Sequence, residues 1–127
     1  MLSPKTALIL GSFLGFLSVA LGAFGAHAFK DFLSANQRLA TYDTAVQYQM
    51  YHSLAILAVG ILGLLMPKTD FGWAYWLFLI GILIFSGSLY ILCATGIRWM
   101  GAITPIGGIC FLAGWLSIAW KIYSSPR

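Results

Sequence analysis

At 127 residues the chain has room for one small domain. Only 8 % of its residues are charged, against about 25 % in soluble proteins, while 61 % are apolar. With a mean hydropathy of +0.91, so few ionisable groups cannot solvate a globule, and lipid is the remaining solvent. The net charge of +4 is no nucleic-acid signal, because a basic patch needs clustered Lys and Arg. Here Lys5, Lys30, Arg38, Lys68, Arg98, Lys121 and Arg127 stand singly between or beside the apolar runs.

A spanning helix needs about 20 apolar residues, and four runs qualify. The spans are expected at 5–28, 46–66, 71–94 and 104–123 within a single domain, 1–127, giving an all-α antiparallel four-helix membrane bundle. The first run opens on Ser3-Pro4, an N-cap followed by proline at the first helical position. Its Ala26-His27-Ala28 end imitates a signal-peptide cleavage site. The apolar stretch is too long for a signal h-region of roughly 7–15 residues, so a retained span is expected.

Residues 29–45 follow, an amphipathic stretch in which Phe29, Phe32, Leu33, Leu39 and Tyr42 alternate with charged and amide residues. It is expected to form a short interfacial helix, or to extend the second span beyond the membrane, with Ser34 or Asn36 as a cap. Pro67 stops the second span, and Thr69 or Asp70 opens the third. Thr104-Pro105 reads as the cap and start of the fourth. The short links at 66–71 and 95–101 make spans two to four antiparallel neighbours. Counting Lys and Arg gives Lys5, Lys68, Lys121 and Arg127 on one side against Lys30, Arg38 and Arg98 on the other. That asymmetry predicts both termini in the cytoplasm.

Between helices in lipid, close backbone contact and hydrogen bonds replace the hydrophobic effect. Gly11, Gly15, Ser18, Gly22 and Gly25 form one small-residue stripe, and Gly107, Cys110, Gly114 and Ser117 form another. Each follows the 3/4 spacing of a single helix face. They are expected to be packing grooves within the bundle, with a homo-oligomer interface as the alternative. Trp73, Tyr75, Trp76, Trp99, Trp120 and Tyr123 suit interfacial belts, whereas Trp115 is deeper and its indole N–H should seek a partner inside the bundle. Cys93 and Cys110 have no metal-ligand spacing and are expected to be buried thiols rather than a disulfide.

The groups that are costliest in a membrane are the best pointers to function. His27 closes the first span, and Tyr48, Gln49, His52 and Ser53 share one face of the second through i,i+3 and i,i+4 spacing. With Thr104, residues His27, Tyr48, Gln49 and His52 are the candidates to line a small polar pocket, His27 and His52 lying at similar depth. Three readings stay open: hydrogen bonding between helices, a ligand or transport site for a lipid, quinone or solute, and axial haem ligation by two histidines. Without Glu or an Asp inside a span, proton relays are disfavoured, and nothing arranges a Ser/His/Asp triad. No catalytic residue, metal or cofactor is therefore expected, and the chain is not expected to be an enzyme.

The strings Gly22-Ala-Phe-Gly-Ala-His27, Tyr48-Gln-Met-Tyr-His52 and Thr104-Pro-Ile-Gly-Gly108, followed by Phe111 and Gly114-Trp115, resemble the domain-of-unknown-function 423 family of small YgdD/YwdK-like inner-membrane proteins. The resemblance runs over nearly the whole chain. It implies a four-helix fold in a bacterial cytoplasmic membrane and brings no reaction with it. The leading expectation is a structural or accessory membrane protein whose partners are the bilayer and a membrane protein or a second copy. The alternative is a small-molecule binder or carrier, with a haem or redox protein behind it.

Overall fold

Ser3 accepts the amide of Thr6 at 3.2 Å, and Pro4 supplies a first-turn residue that has no N–H to satisfy. Together they start α1 (Pro4–Ala26), the first of five helices in a computed structural model that describes residues 2–126. The backbone of His27 closes α1 on Ala23 and Phe24. A short amphipathic helix follows, α2 (Lys30–Ala35), which buries Leu33. Asn36 ends it by donating to the Phe32 carbonyl, and Gln37 turns the chain in the left-handed conformation at φ 55°.

The next helix, α3 (Leu39–Leu65), is longer than the apolar run that foretold it. Residues 29–45 thus form a short helix and then the first turns of α3, but neither Ser34 nor Asn36 caps α3: Arg38 stands at its N-cap and makes no side-chain bond there. The early start follows from Tyr42 and Ala45, which bury on the bundle although hydropathy places them outside the membrane. In α4 (Gly72–Thr95) the Asp70 carboxylate accepts the Gly72 amide at 2.8 Å, and Gly96 ends the helix at φ 72°.

The last helix, α5 (Met100–Tyr123), corrects the sequence reading. Thr104-Pro105 is not its start, because Gly96 turns the chain early enough for the helix to begin at Met100, with Trp99 at the N-cap position and no side-chain cap. Pro105 then falls in the second turn, where its missing N–H removes the single bond to Gly101. The Thr104 hydroxyl meets Ser88 on α4 at 2.7 Å instead of capping.

The four long helices are long and apolar enough to cross a membrane. Helix α1 lies along α3, α3 along α4, and α4 along α5, so α3 and α4 are the more buried pair. Trp99 and Trp120 on α5 are separated by about 31 Å at 1.5 Å per residue, matching a hydrocarbon core of about 30 Å. One core packs Val59 of α3 and Phe78 of α4, both fully buried, with Ala7 of α1 and Phe111 of α5. A smaller cluster of Leu33, Tyr42 and Cys93 joins α2 to its end of the bundle.

The glycines of the two stripes make room for neighbouring helices, mostly for their side chains, with Gly15 the exception. Gly11 is set against Leu57, Gly22 against Val46 and Gly25 against Tyr42, while Gly107 abuts Phe85 and Gly114 abuts Phe78. Ser18 is buried and its hydroxyl has no partner among the described residues. Gly15 faces open space. Cys93 is buried and Cys110 partly so, and both are free.

Candidate functional site

His52 stacks on Phe111, which lies between Trp99 and Trp120 about halfway along α5, so its ring lies near the midplane of the bundle rather than one or two turns inside its edge. Its side chain is 5 % exposed. The ring lies face to face with Phe111 of α5, centroids 3.5 Å apart and planes within 9°. Nδ1 is 2.7 Å from the Tyr48 carbonyl, and Nε2 is 3.1 Å from the indole Nε1 of Trp115. An indole N–H only donates and a carbonyl only accepts, so Nε2 takes the indole proton and Nδ1 carries the ring proton. The imidazole is a neutral single tautomer with both nitrogens engaged. Trp115 thus finds the partner within the bundle that its depth demanded.

Gln49, 3 % exposed, bridges three helices. Its Nε2 donates to the Leu14 carbonyl of α1 at 3.1 Å, and its Oε1 accepts the Tyr90 hydroxyl of α4 at 2.6 Å. One turn on, the Ser53 hydroxyl returns to the Gln49 carbonyl at 2.6 Å. Ser86 of α4 donates to Ala45 of α3 at 2.7 Å, and Tyr75 donates to Val59 at 3.1 Å. At the α2 end Tyr42 donates to the Leu21 carbonyl of α1. Every pair of adjacent long helices is therefore hydrogen-bonded through side chains, and α3 is tied to α5 as well.

Of the five pocket candidates, Tyr48 and His52 stack on each other, Gln49 one turn along α3 turns to α1 and α4 instead, and the other two lie elsewhere. Tyr48 is part-exposed and stacks on Phe85 at 4.6 Å. Thr104 is buried about two turns away along the bundle, on Ser88. His27 is exposed at the end of α1, beside residues that pack near Tyr42. Ten residues of α3 separate Tyr42 from His52, which puts the two histidines on the order of 15–20 Å apart in depth. They do not share a depth, and within one chain they cannot flank one haem iron. The physical reason is again the length of α3: seven helical residues precede position 46. Among the described residues no group of three or more His, Cys, Asp or Glu converges on one point.

The sequence reading missed a cavity of about 470 Å³ beneath α2, lined by Leu21, Phe29, Phe32, Tyr42, Tyr90 and Cys93 among others. It uses none of the five candidates. A polar recess of about 350 Å³ adjoins it, lined by Asn36, Gln37, Arg38, Leu92 and Arg98. The amphipathic alternation of 29–45 was the available signal for such a site, because its apolar residues Phe29, Phe32, Leu33 and Tyr42 line the cavity.

The family model described as "Protein of unknown function (DUF423)" matches residues 21–108 of the chain. A UPF0382 membrane protein of Staphylococcus haemolyticus is 46 % identical over 114 residues, covering 90 % of this chain and 92 % of its own. The UPF0382 membrane protein YwdK of Bacillus subtilis is 44 % identical over 115 residues, 90 % and 93 % of the two chains. A UPF0382 membrane protein of Haemophilus influenzae is 46 % identical over 112 residues, 87 % and 88 %. No solved structure matches. The match over most of the chain, with relatives that are themselves named membrane proteins, makes this small integral membrane protein a member of the DUF423 family.

Proposed function

We propose that the protein is a structural, non-enzymatic membrane protein that works by lateral self-association through the open face of α3. The observation that carries this reading is Gln47. Its side chain is exposed, and it lies five residues from His52, about 7 Å from the midplane and inside the hydrocarbon core. The other deep amide, Gln49, is consumed by α1 and α4. An amide facing lipid finds neither donor nor acceptor there.

A second copy supplies both. An amide is donor and acceptor at once, so two amides related by a two-fold axis satisfy each other. The surrounding stripe suits such a contact. Gln47, Tyr51, Leu54, Ala58, Ile61 and Leu65 are all exposed and follow 3/4 spacing along α3, the pattern of a helix seam. Disulfide cross-linking tests it: with Cys93 and Cys110 replaced by Ala, Gln47→Cys is expected to give linked dimers in native membranes. Dimer yields no higher than from lipid-facing Leu83→Cys on α4 would overturn the reading.

We place the protein in a bacterial cytoplasmic membrane with both termini inside. Support comes from the bacterial membrane-protein relatives and from the four-to-three Lys/Arg excess, in which Arg127 lies outside the described residues. A C-terminal reporter active only in the cytoplasm should be active, and activity from a periplasm-only reporter instead would reverse the topology.

A further inference from the structure

The α2 end of the molecule carries a second feature, independent of the α3 face: an apolar cavity beside a basic recess, each at a definite depth. Tyr42, in the cavity wall, is ten residues above His52 on α3, about 15 Å from the midplane. That is the edge of a hydrocarbon core about 30 Å thick. Arg38 is four residues further, about 21 Å from the midplane and at headgroup depth, since the whole bilayer is about 40–45 Å thick.

The two spaces share a wall. The Arg38 amide donates to the Leu33 carbonyl at 2.8 Å, and the Cys93 thiol faces the Arg38 carbonyl at 3.9 Å. Leu33 and Cys93 line the cavity, while the Arg38 side chain lines the recess with Arg98, Asn36 and Gln37. No carboxylate lines that recess. Two guanidinium groups with amide donors beside them match a phosphate, for which arginine offers paired donors. The cavity is within the roughly 300–1,000 Å³ of small-molecule sites. Its polar atoms are few, so it suits a hydrocarbon chain.

We propose that this end holds one anionic phospholipid, with an acyl chain in the cavity beneath α2 and its phosphate in the recess lined by Arg38 and Arg98. Helix α2 is the roof of the site. Phe29 and Phe32 face the acyl chain, and Lys30 is exposed on the same helix. A zwitterionic lipid offers the same chain and a phosphate, but its choline cation cancels the charge that the arginines attract. The preference is therefore for net negative headgroups, and near-surface cations give it a magnitude of roughly tenfold in retention.

The test uses the full chain in detergent, titrated with dioleoyl phosphatidylglycerol, dioleoyl phosphatidylcholine or inorganic phosphate, and read by native mass spectrometry and thermal melting. The expected result is retention of phosphatidylglycerol about tenfold above phosphatidylcholine, with a matching rise in melting temperature. In Arg38→Gln/Arg98→Gln the two lipids should be retained equally. These side chains sit at the surface, so the fold should survive their loss. Ala94→Phe, which fills the cavity from α4, should reduce retention of both lipids.

Equal retention of the two lipids by the unaltered protein would overturn the headgroup assignment. Inorganic phosphate that matches phosphatidylglycerol in thermal stabilisation would make a free anion the ligand and overturn the lipid. Undiminished phosphatidylglycerol retention by Ala94→Phe, or by the roof variant Phe32→Ala should Ala94→Phe not fold, would remove the acyl chain from the cavity.

Discussion

The imidazole of His52 and the indole of Trp115 meet at 3.1 Å near the midplane, and the geometry leaves each ring nitrogen one role. Both nitrogens are engaged within the protein, Nδ1 on the Tyr48 carbonyl and Nε2 on the Trp115 indole. The pair joins α3 to α5, two helices that otherwise touch through a few side chains such as Phe111. A double-mutant cycle of His52→Leu and Trp115→Phe, read by unfolding in detergent, should show a coupling of about 0.6 kcal/mol, the average for hydrogen bonds between membrane helices. Strict additivity would mean that the bond contributes nothing. The residue types and their shared face on α3 were legible in sequence, since i,i+3 and i,i+4 spacing fixes them. Their partners were not: Tyr90 and Trp115 come from helices that sequence spacing does not bring to a known register.

At the scale of the element, span positions were legible and helix ends were not. Hydropathy reports which residues lipid tolerates, whereas a helix continues wherever its next residues find contacts. Tyr42 and Ala45 extend α3 upward because they bury on the bundle, and this extension separates His27 from His52 in depth. Thr104-Pro105 misled for a related reason, because proline is tolerated in the second turn at the loss of one bond. The glycine stripes were legible as faces, but spacing could not say which members touch a neighbour. Gly107 lies against the Phe85 backbone and Gly15 faces open space. Gly107→Leu should therefore lose the folded, monodisperse protein in size-exclusion chromatography, with overpacking costing about 1–3 kcal/mol or more. Gly15→Leu should stay within about 0.5 kcal/mol of the unaltered protein in thermal melts. Equal damage from both would contradict this division of the stripe.

For the whole molecule, the energetics turn on the distribution of polar groups. Leucine and lipid tails are equally apolar, so burial alone does not hold α1 to α3 or α4 to α5. Side-chain hydrogen bonds and glycine contacts do so, and Gln49, His52, Ser86 and Thr104 are occupied by them. Besides the Ser18 hydroxyl, which has no partner among the described residues, two parts of the molecule stand outside this network. One is the α2 end, with its cavity and arginines; the other is the α3 face that carries Gln47 within the hydrocarbon. The four-helix architecture followed from composition and run length. The open face did not, because an exposed glutamine and a buried one look alike in sequence.

That face is most directly tested by the pattern of inter-copy disulfides along α3 in native membranes, with single cysteines at 47, 51, 54 and 58 against Leu83 and Leu112 on the lipid-facing sides of α4 and α5. Self-association through α3 requires cross-linked dimers at the four stripe positions and background levels at the other two. Uniform yields at all six, or none at 47, would contradict it.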